Sequence, residues 1–264
     1  MNMVLGGHSA AEAPAHRRVF LEAGRLAIAW AAIRPARAQG PAKPLTPAPP
    51  GHVVLLGDSV FDNKPYVAGG PDVVTQLRNH LPPGWRATLE AVDGATTRDV
   101  QRQLQRVPAD ATHLVVSVGG NDALQVEQVL NKHVRSVAGA LEILASVQEQ
   151  FVRDYQAMLE AVLSRHLPTA VCTIYDPRFA DPIRRRVGTA GLALFNTAIT
   201  RDAFARGLPV IDLRLVCTQE QDFVHAIEPS QIGGDKIAAT IAELVTTYDF
   251  QNPRSEVFGA RRGG

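Results

Sequence analysis

His52-Val53-Val54-Leu55-Leu56, running into Gly57-Asp58-Ser59-Val60, is the stretch on which the fold turns. Its first five residues form a short, nearly unbroken apolar run. A strand with one wet face alternates polar and apolar residues. A strand without alternation is covered on both faces, and helices on each side of a parallel sheet provide that cover. Gly57 stops the run, and small polar residues follow it.

The cycle of strand, loop and helix repeats downstream. The patterning predicts strands over 86–92, 113–118, 169–175 and 208–213, and helices over 73–81, 97–107, 123–145, 147–166, 187–204 and 231–247. Phe151, Tyr155, Met158, Leu159 and Val162 recur at intervals of three and four, the stripe of a core-facing helix. Pro82-Pro83-Gly84 marks a helix stop. Strands separated by helices imply right-handed crossovers in a doubly wound α/β sheet. The expectation is five parallel strands in one domain over residues 51–250, followed by a flexible tail over 251–264.

Composition narrows the function classes. Of 264 residues, 45% are hydrophobic and 20% charged, as in an ordinary globular protein. Lys and Arg number 27 against 26 Asp and Glu, so there is no basic excess to drive counterion release, and no nucleic-acid partner is expected. Two cysteines cannot build a metal framework or a disulfide scaffold, although Cys172 and Cys217 could pair in an oxidising compartment. No apolar run reaches the length of a membrane span.

Residues 1–50 are of a different kind, rich in Ala, Pro and Arg. Arg17-Arg18, the apolar stretch Leu26 to Ile33, and Ala36-Arg37-Ala38 resemble a twin-arginine export signal with its cleavage site. Glu22 and Arg25 interrupt the pattern. Pro41 to Pro50 holds five prolines in ten residues, which reads as a linker. A periplasmic or secreted protein is expected from this segment; a cytoplasmic one with an N-terminal extension is the alternative.

In a doubly wound sheet, ligands bind beyond the carboxyl ends of the strands. There the sequence places Gly57-Asp58-Ser59-Val60, Asp93-Gly94-Ala95-Thr96 and Gly119-Gly120-Asn121-Asp122, with Asp222-Phe223-Val224-His225 near the end. Each is common alone. Their order along one sheet edge is not.

Together these blocks resemble the SGNH (GDSL-type) hydrolase family over roughly Val53 to Val245. The resemblance implies a three-layer, flavodoxin-like α/β/α sandwich and a serine esterase that acts on a small-molecule carboxylic ester without metal or organic cofactor. It implies Ser59 as nucleophile, dependent on a neighbouring base. It also implies an oxyanion hole of the Ser59 and Gly94 backbone N–H groups and the Asn121 side-chain amide. A glycine at 94 would leave room for close backbone approach. Asp58 and Asp122 read as loop-positioning residues, and Tyr175 and Phe179 as lining for an acyl pocket.

The histidine block has two registers. By spacing, Asp222 and His225 form Asp-x-x-His, with His225 as base and Asp222 orienting it. By flanking residues, Glu228-Pro229-Ser230-Gln231-Ile232-Gly233 fits better, and Glu228 takes the histidine slot. A carboxylate near pKa 4.3 is a much weaker base than an imidazole near 6.5. The literal spacing favours His225, with Glu228 the alternative. A degenerate site that only binds, or an acyltransferase using the same serine, stays open.

Overall fold

The computed structural model describes residues 50–260. The chain runs through β1 (His52–Gly57), α1 (Val73–His80), β2 (Arg86–Leu89), α2 (Val100–Leu104), β3 (His113–Ser117), α3 (Gly120–Gln125), α4 (Val137–Leu163) and β4 (Thr169–Cys172). It continues through α5 (Pro182–Ala205), β5 (Val210–Ile211), α6 (Leu213–Val216), β6 (Phe223–Val224), β7 (Glu228–Pro229), α7 (Gln231–Thr247) and β8 (Val257–Phe258).

β1 is buried along its whole length, as its missing alternation requires. It lies between β2 and β3 in a parallel sheet of order β2-β1-β3-β4-β5-β8. Successive residues of β1 feed opposite cores. Val53 and Leu55 pack with α1 and α7, while Val54 and Leu56 pack with α2, α4 and α5. Helices therefore cover both faces. The order reverses between β1 and β3, the switch point where such sheets open a crevice.

Three expectations need correction. The sheet has six strands rather than five, because Val257–Phe258, placed by the sequence reading in a flexible tail, pairs with β5. The stretch divided into helices over 123–145 and 147–166 folds as short turns followed by one long helix, α4. Ala145 and Ser146 do not break it, and Ser136 starts it by accepting from the Gly139 N–H (3.1 Å). α5 begins at Pro182 rather than at 187, where the Asp181 side chain caps the Arg184 N–H. By contrast, α7 has the bounds read from the sequence, with Ser230 at its N-cap.

Cys172 and Cys217 are both buried and unpaired. The export-like segment and its proline linker lie outside the described residues. Among the described residues no helix is long and apolar enough to cross a membrane.

Candidate active site

Ser59 leaves β1 on a turn that is held from several sides. Gly57 has a φ of +132°, and a Cβ there would sit 1.7 Å from the Ser117 carbonyl oxygen, so only glycine fits. The buried Gln103 side chain clamps the same residue, accepting from the Gly57 N–H (2.8 Å) and donating to its carbonyl (2.7 Å). Asp58 Oδ1 accepts from the Val60 N–H (3.1 Å). Ser59 is itself 8% exposed, enough to meet a ligand at the mouth of the cavity it lines.

The next two loops are stitched together. Asn121 Nδ2 donates to the Ala95 carbonyl (3.0 Å), which leaves its second amide hydrogen free of the frame. The Thr97 hydroxyl donates to Asp122 (2.7 Å), so the aspartate beside Asn121 anchors the loop after β2. Gly94 has a φ of +78°, and a Cβ there would meet nothing within 4 Å. The backbone conformation accounts for glycine at this position; the space above it is open. Among the described residues the N–H groups of Ser59 and Gly94 have no acceptor. Ser59, Gly94 and Asn121 thus present donors at one edge of the sheet.

The Asp222–His225 pairing suggested by spacing does not form. β6 and β7 make a two-stranded hairpin in which Val224 pairs with Glu228, so His225 falls in the turn, exposed and at a φ of +58°. It has no hydrogen-bond or ion-pair partner among the described residues. Asp222 is fully buried and committed elsewhere. It accepts from the Lys236 ammonium (2.6 Å) and from the Gln219 N–H (2.9 Å), closing the turn that precedes β6. Among the described residues no histidine lines the cavity at Ser59.

Glu228 does. It lines the same cavity as Ser59, the Ser59 hydroxyl is near enough to lower its carboxyl pKa, and its Oε2 is buried with no partner. Burial pushes the Glu228 carboxyl up to about 6, the Ser59 hydroxyl opposes the rise, and the charge of Asp93 adds to it. Two buried side chains fix the backbone on either side of this residue. Tyr175 donates its hydroxyl to the Ile227 carbonyl, and Asn63 Nδ2 donates to the Pro229 carbonyl (3.2 Å). Asn63 also accepts from the Val73 N–H (2.9 Å), which ties the hairpin to the start of α1. Nothing in the sequence singles out Asn63 or Gln103, since both lie in segments whose polar residues read as surface.

Asp58 is buried beside these groups, and burial raises its carboxyl to about 8, with Glu228, Asp122 and Asp93 adding to the rise against the Val60 hydrogen bond. A carboxyl that holds its proton more tightly when folded favours the fold at low pH, and that contribution is lost as pH rises from about 4 to about 8. Asp58→Asn, which keeps the acceptor for Val60, is expected to stabilise the protein by roughly a few kcal/mol near pH 9 and hardly at all near pH 4. Urea denaturation at the two pH values measures it. An equal effect at both would remove burial of this carboxyl as the cause.

From Ser59 a cavity of about 150 Å³ extends between α3, α4 and α5, lined mostly by apolar side chains that include Leu144, Val147, Ile174, Leu192 and Phe195. Tyr175 and Phe179, read from the sequence as lining for an acyl pocket, are among the residues that line this cavity. Arg184, the cation on its wall, is bound to Glu127 (2.9 Å) and stacks over Phe179. Among the described residues no three His, Cys, Asp or Glu side chains are grouped to hold a metal ion.

The model of the GDSL-like Lipase/Acylhydrolase family matches residues 55–231, from within β1 to the first residue of α7. The chain belongs to this family. Its GDSL-type fold is also that of an extracellular lipase from Streptomyces rimosus (17% identity, TM-score 0.56), covering 75% of this chain and 100% of that one. A lipase from a goat rumen metagenome is similar at 16% identity and a TM-score of 0.56, with 76% and 99% covered. Phospholipase A1 from Streptomyces albidoflavus is similar at 16% and 0.51, with 75% and 100% covered. No curated protein matches the sequence. Membership of the GDSL family indicates ester hydrolysis as the class of chemistry.

Proposed function

We propose that the protein is a serine ester hydrolase in which Glu228 takes the place of histidine as the base for Ser59. The observation that carries this reading is the Glu228 carboxylate in the cavity that Ser59 lines, with its Oε2 buried and unpartnered and its carboxyl sensitive to the Ser59 hydroxyl. Burial brings its pKa to about 6, close to the working range that general bases need. This answers the objection that an ordinary glutamate is too weak.

In this reading Ser59 Oγ attacks the ester carbonyl carbon while its proton passes to Glu228. The tetrahedral oxyanion takes hydrogen bonds from the Ser59 and Gly94 N–H groups and the free Asn121 amide hydrogen. Collapse breaks the bond to the alcohol, which leaves with the proton from Glu228. Water then attacks the acyl-Ser59 ester, its proton going to Glu228 and on to Ser59 as the acid departs. The apolar cavity receives the acyl chain. An alcohol in place of water at the second stage would give acyl transfer by the same groups.

Labelling with a fluorophosphonate tests this, followed as intact mass from pH 5 to 8. A single adduct is expected, forming faster as pH rises through about 6. No adduct on a folded chain would overturn the reading and leave a protein that keeps the family fold for binding alone. Asn121→Ala is expected to cut kcat by about 100- to 1000-fold with little change in KM, the loss of one oxyanion donor. Steady-state kinetics on a short ester measures it, and a pure KM effect would remove Asn121 from that role.

A further inference from the structure

α4 and α5 run side by side in a constant register. Gln148 Nε2 donates to the Leu194 carbonyl (2.9 Å), and Arg206 pairs with Glu160 (3.6 Å), each an offset of 46 residues. Toward the helix starts the two helices carry the apolar side chains of Val137, Ile183, Leu141 and Val187. These four are 78%, 61%, 60% and 40% exposed. Leu124 of α3, and Leu130 and Val134 between α3 and the start of α4, are exposed as well. Soluble surfaces carry scattered apolar residues; a gathering of this size marks an interaction site. Inward of Leu141 and Val187, Leu144 and Leu192 line the cavity that leads to Ser59, so the exposed apolar patch continues into the apolar interior.

The charges around the patch have a sign. Lys132, Arg135 and Arg186 are exposed and have no acidic partner among the described residues. Of the nearby acids, Glu127 is held by Arg184, while Asp181, which caps α5, and Glu142 have no cationic partner among the described residues, so the unpaired cations outnumber the unpaired acids by three to two. Exposed apolar side chains accompanied by an excess of cations suit an anionic lipid surface, into which the apolar groups insert while the cations meet headgroups. A second copy seated about a two-fold axis would instead bring the same cations together.

We propose that the starts of α4 and α5, with the segment before α4, dock the protein on an anionic lipid surface and open the cavity toward it. The docking does not depend on the chemistry at Ser59. Where ester hydrolysis holds, it means that the acyl chain enters from a lipid phase rather than from water.

The test uses the full chain, sedimented with phosphatidylcholine vesicles with and without about one third phosphatidylglycerol. Binding is expected to the anionic vesicles and to weaken with salt. Val137→Asp with Ile183→Asp should lower the partition roughly 30-fold, and Arg135→Glu with Arg186→Glu should abolish the preference for phosphatidylglycerol. Melting temperature and labelling of Ser59 by a short soluble fluorophosphonate should not change in either variant, which separates docking from the proposed hydrolysis. Failure of the folded chain to bind either vesicle would overturn the proposal. So would binding indifferent to the Asp substitutions, or a dimer that those substitutions split.

Discussion

Ser59→Ala is expected to abolish the fluorophosphonate adduct and to lower kcat for a short ester by about 10⁴- to 10⁶-fold, the scale on which serine hydrolases lose their nucleophile. The loss should appear with no change in fold. Ser59 is small and lines the cavity, and the turn around it is held by Gly57, Gln103 and Asp58 rather than by its hydroxyl. Equal melting curves would therefore accompany unequal chemistry. The acceptor side gives a further check. The Ser59 hydroxyl lowers the Glu228 carboxyl pKa, so the alanine variant should carry a Glu228 carboxyl that titrates higher than in the wild type. Turnover that survives Ser59→Ala would place the chemistry on another group.

The second large effect concerns the base. Glu228→Gln keeps size and polarity but cannot take a proton, and it should reduce kcat/KM by about 100- to 10,000-fold. The wild type supplies the matching pH signature. Glu228 accepts a proton only when ionised, so kcat/KM should rise about tenfold per unit as pH approaches 6 from below and level off above it. The glutamine variant should lose that inflection. Glu228→His restores an imidazole with an ordinary pKa near 6.5 and should recover part of the rate, because Tyr175 and Asn63 hold the backbone on both sides of the position. A glutamine variant as fast as the wild type would remove Glu228 from the mechanism and leave His225, exposed in its turn, to be tested by the same substitution.

Much of this was open to a reading of the sequence, and the parts that were not have identifiable causes. β1 and β3 are apolar without alternation, and α7 has a serine at its start and a regular stripe, so both signals are long enough to read. The last strand is two residues, Val257–Phe258, set among arginines and glycines; no period can be recognised in a pair. The site divides in the same way. Ser59, Gly94 and Asn121 sit in the segments that follow β1, β2 and β3, where the topology alone brings them to one edge. The base sits on a hairpin whose strands are two residues each. In it the side chain that faces Ser59 depends on which residue occupies the turn, and spacing alone pointed to His225. The flanking Pro229, Ser230 and Gly233 carried the better signal, because they fix where α7 begins and hence where the hairpin returns to the sheet.

The pairing of Val257 and Phe258 with β5 also bears on how the molecule behaves in a crowded solution. Without it, β5 would present Val210 and Ile211 at a bare sheet margin, with backbone donors and acceptors ready to recruit a strand from a neighbouring chain. The final segment closes that margin with a strand of only two residues, itself too short to be a good template, and with Arg254 and Glu256 immediately ahead of it. Residues remote from Ser59 thus leave a neighbouring chain a shorter strand margin to join, a contribution that an activity assay would never register.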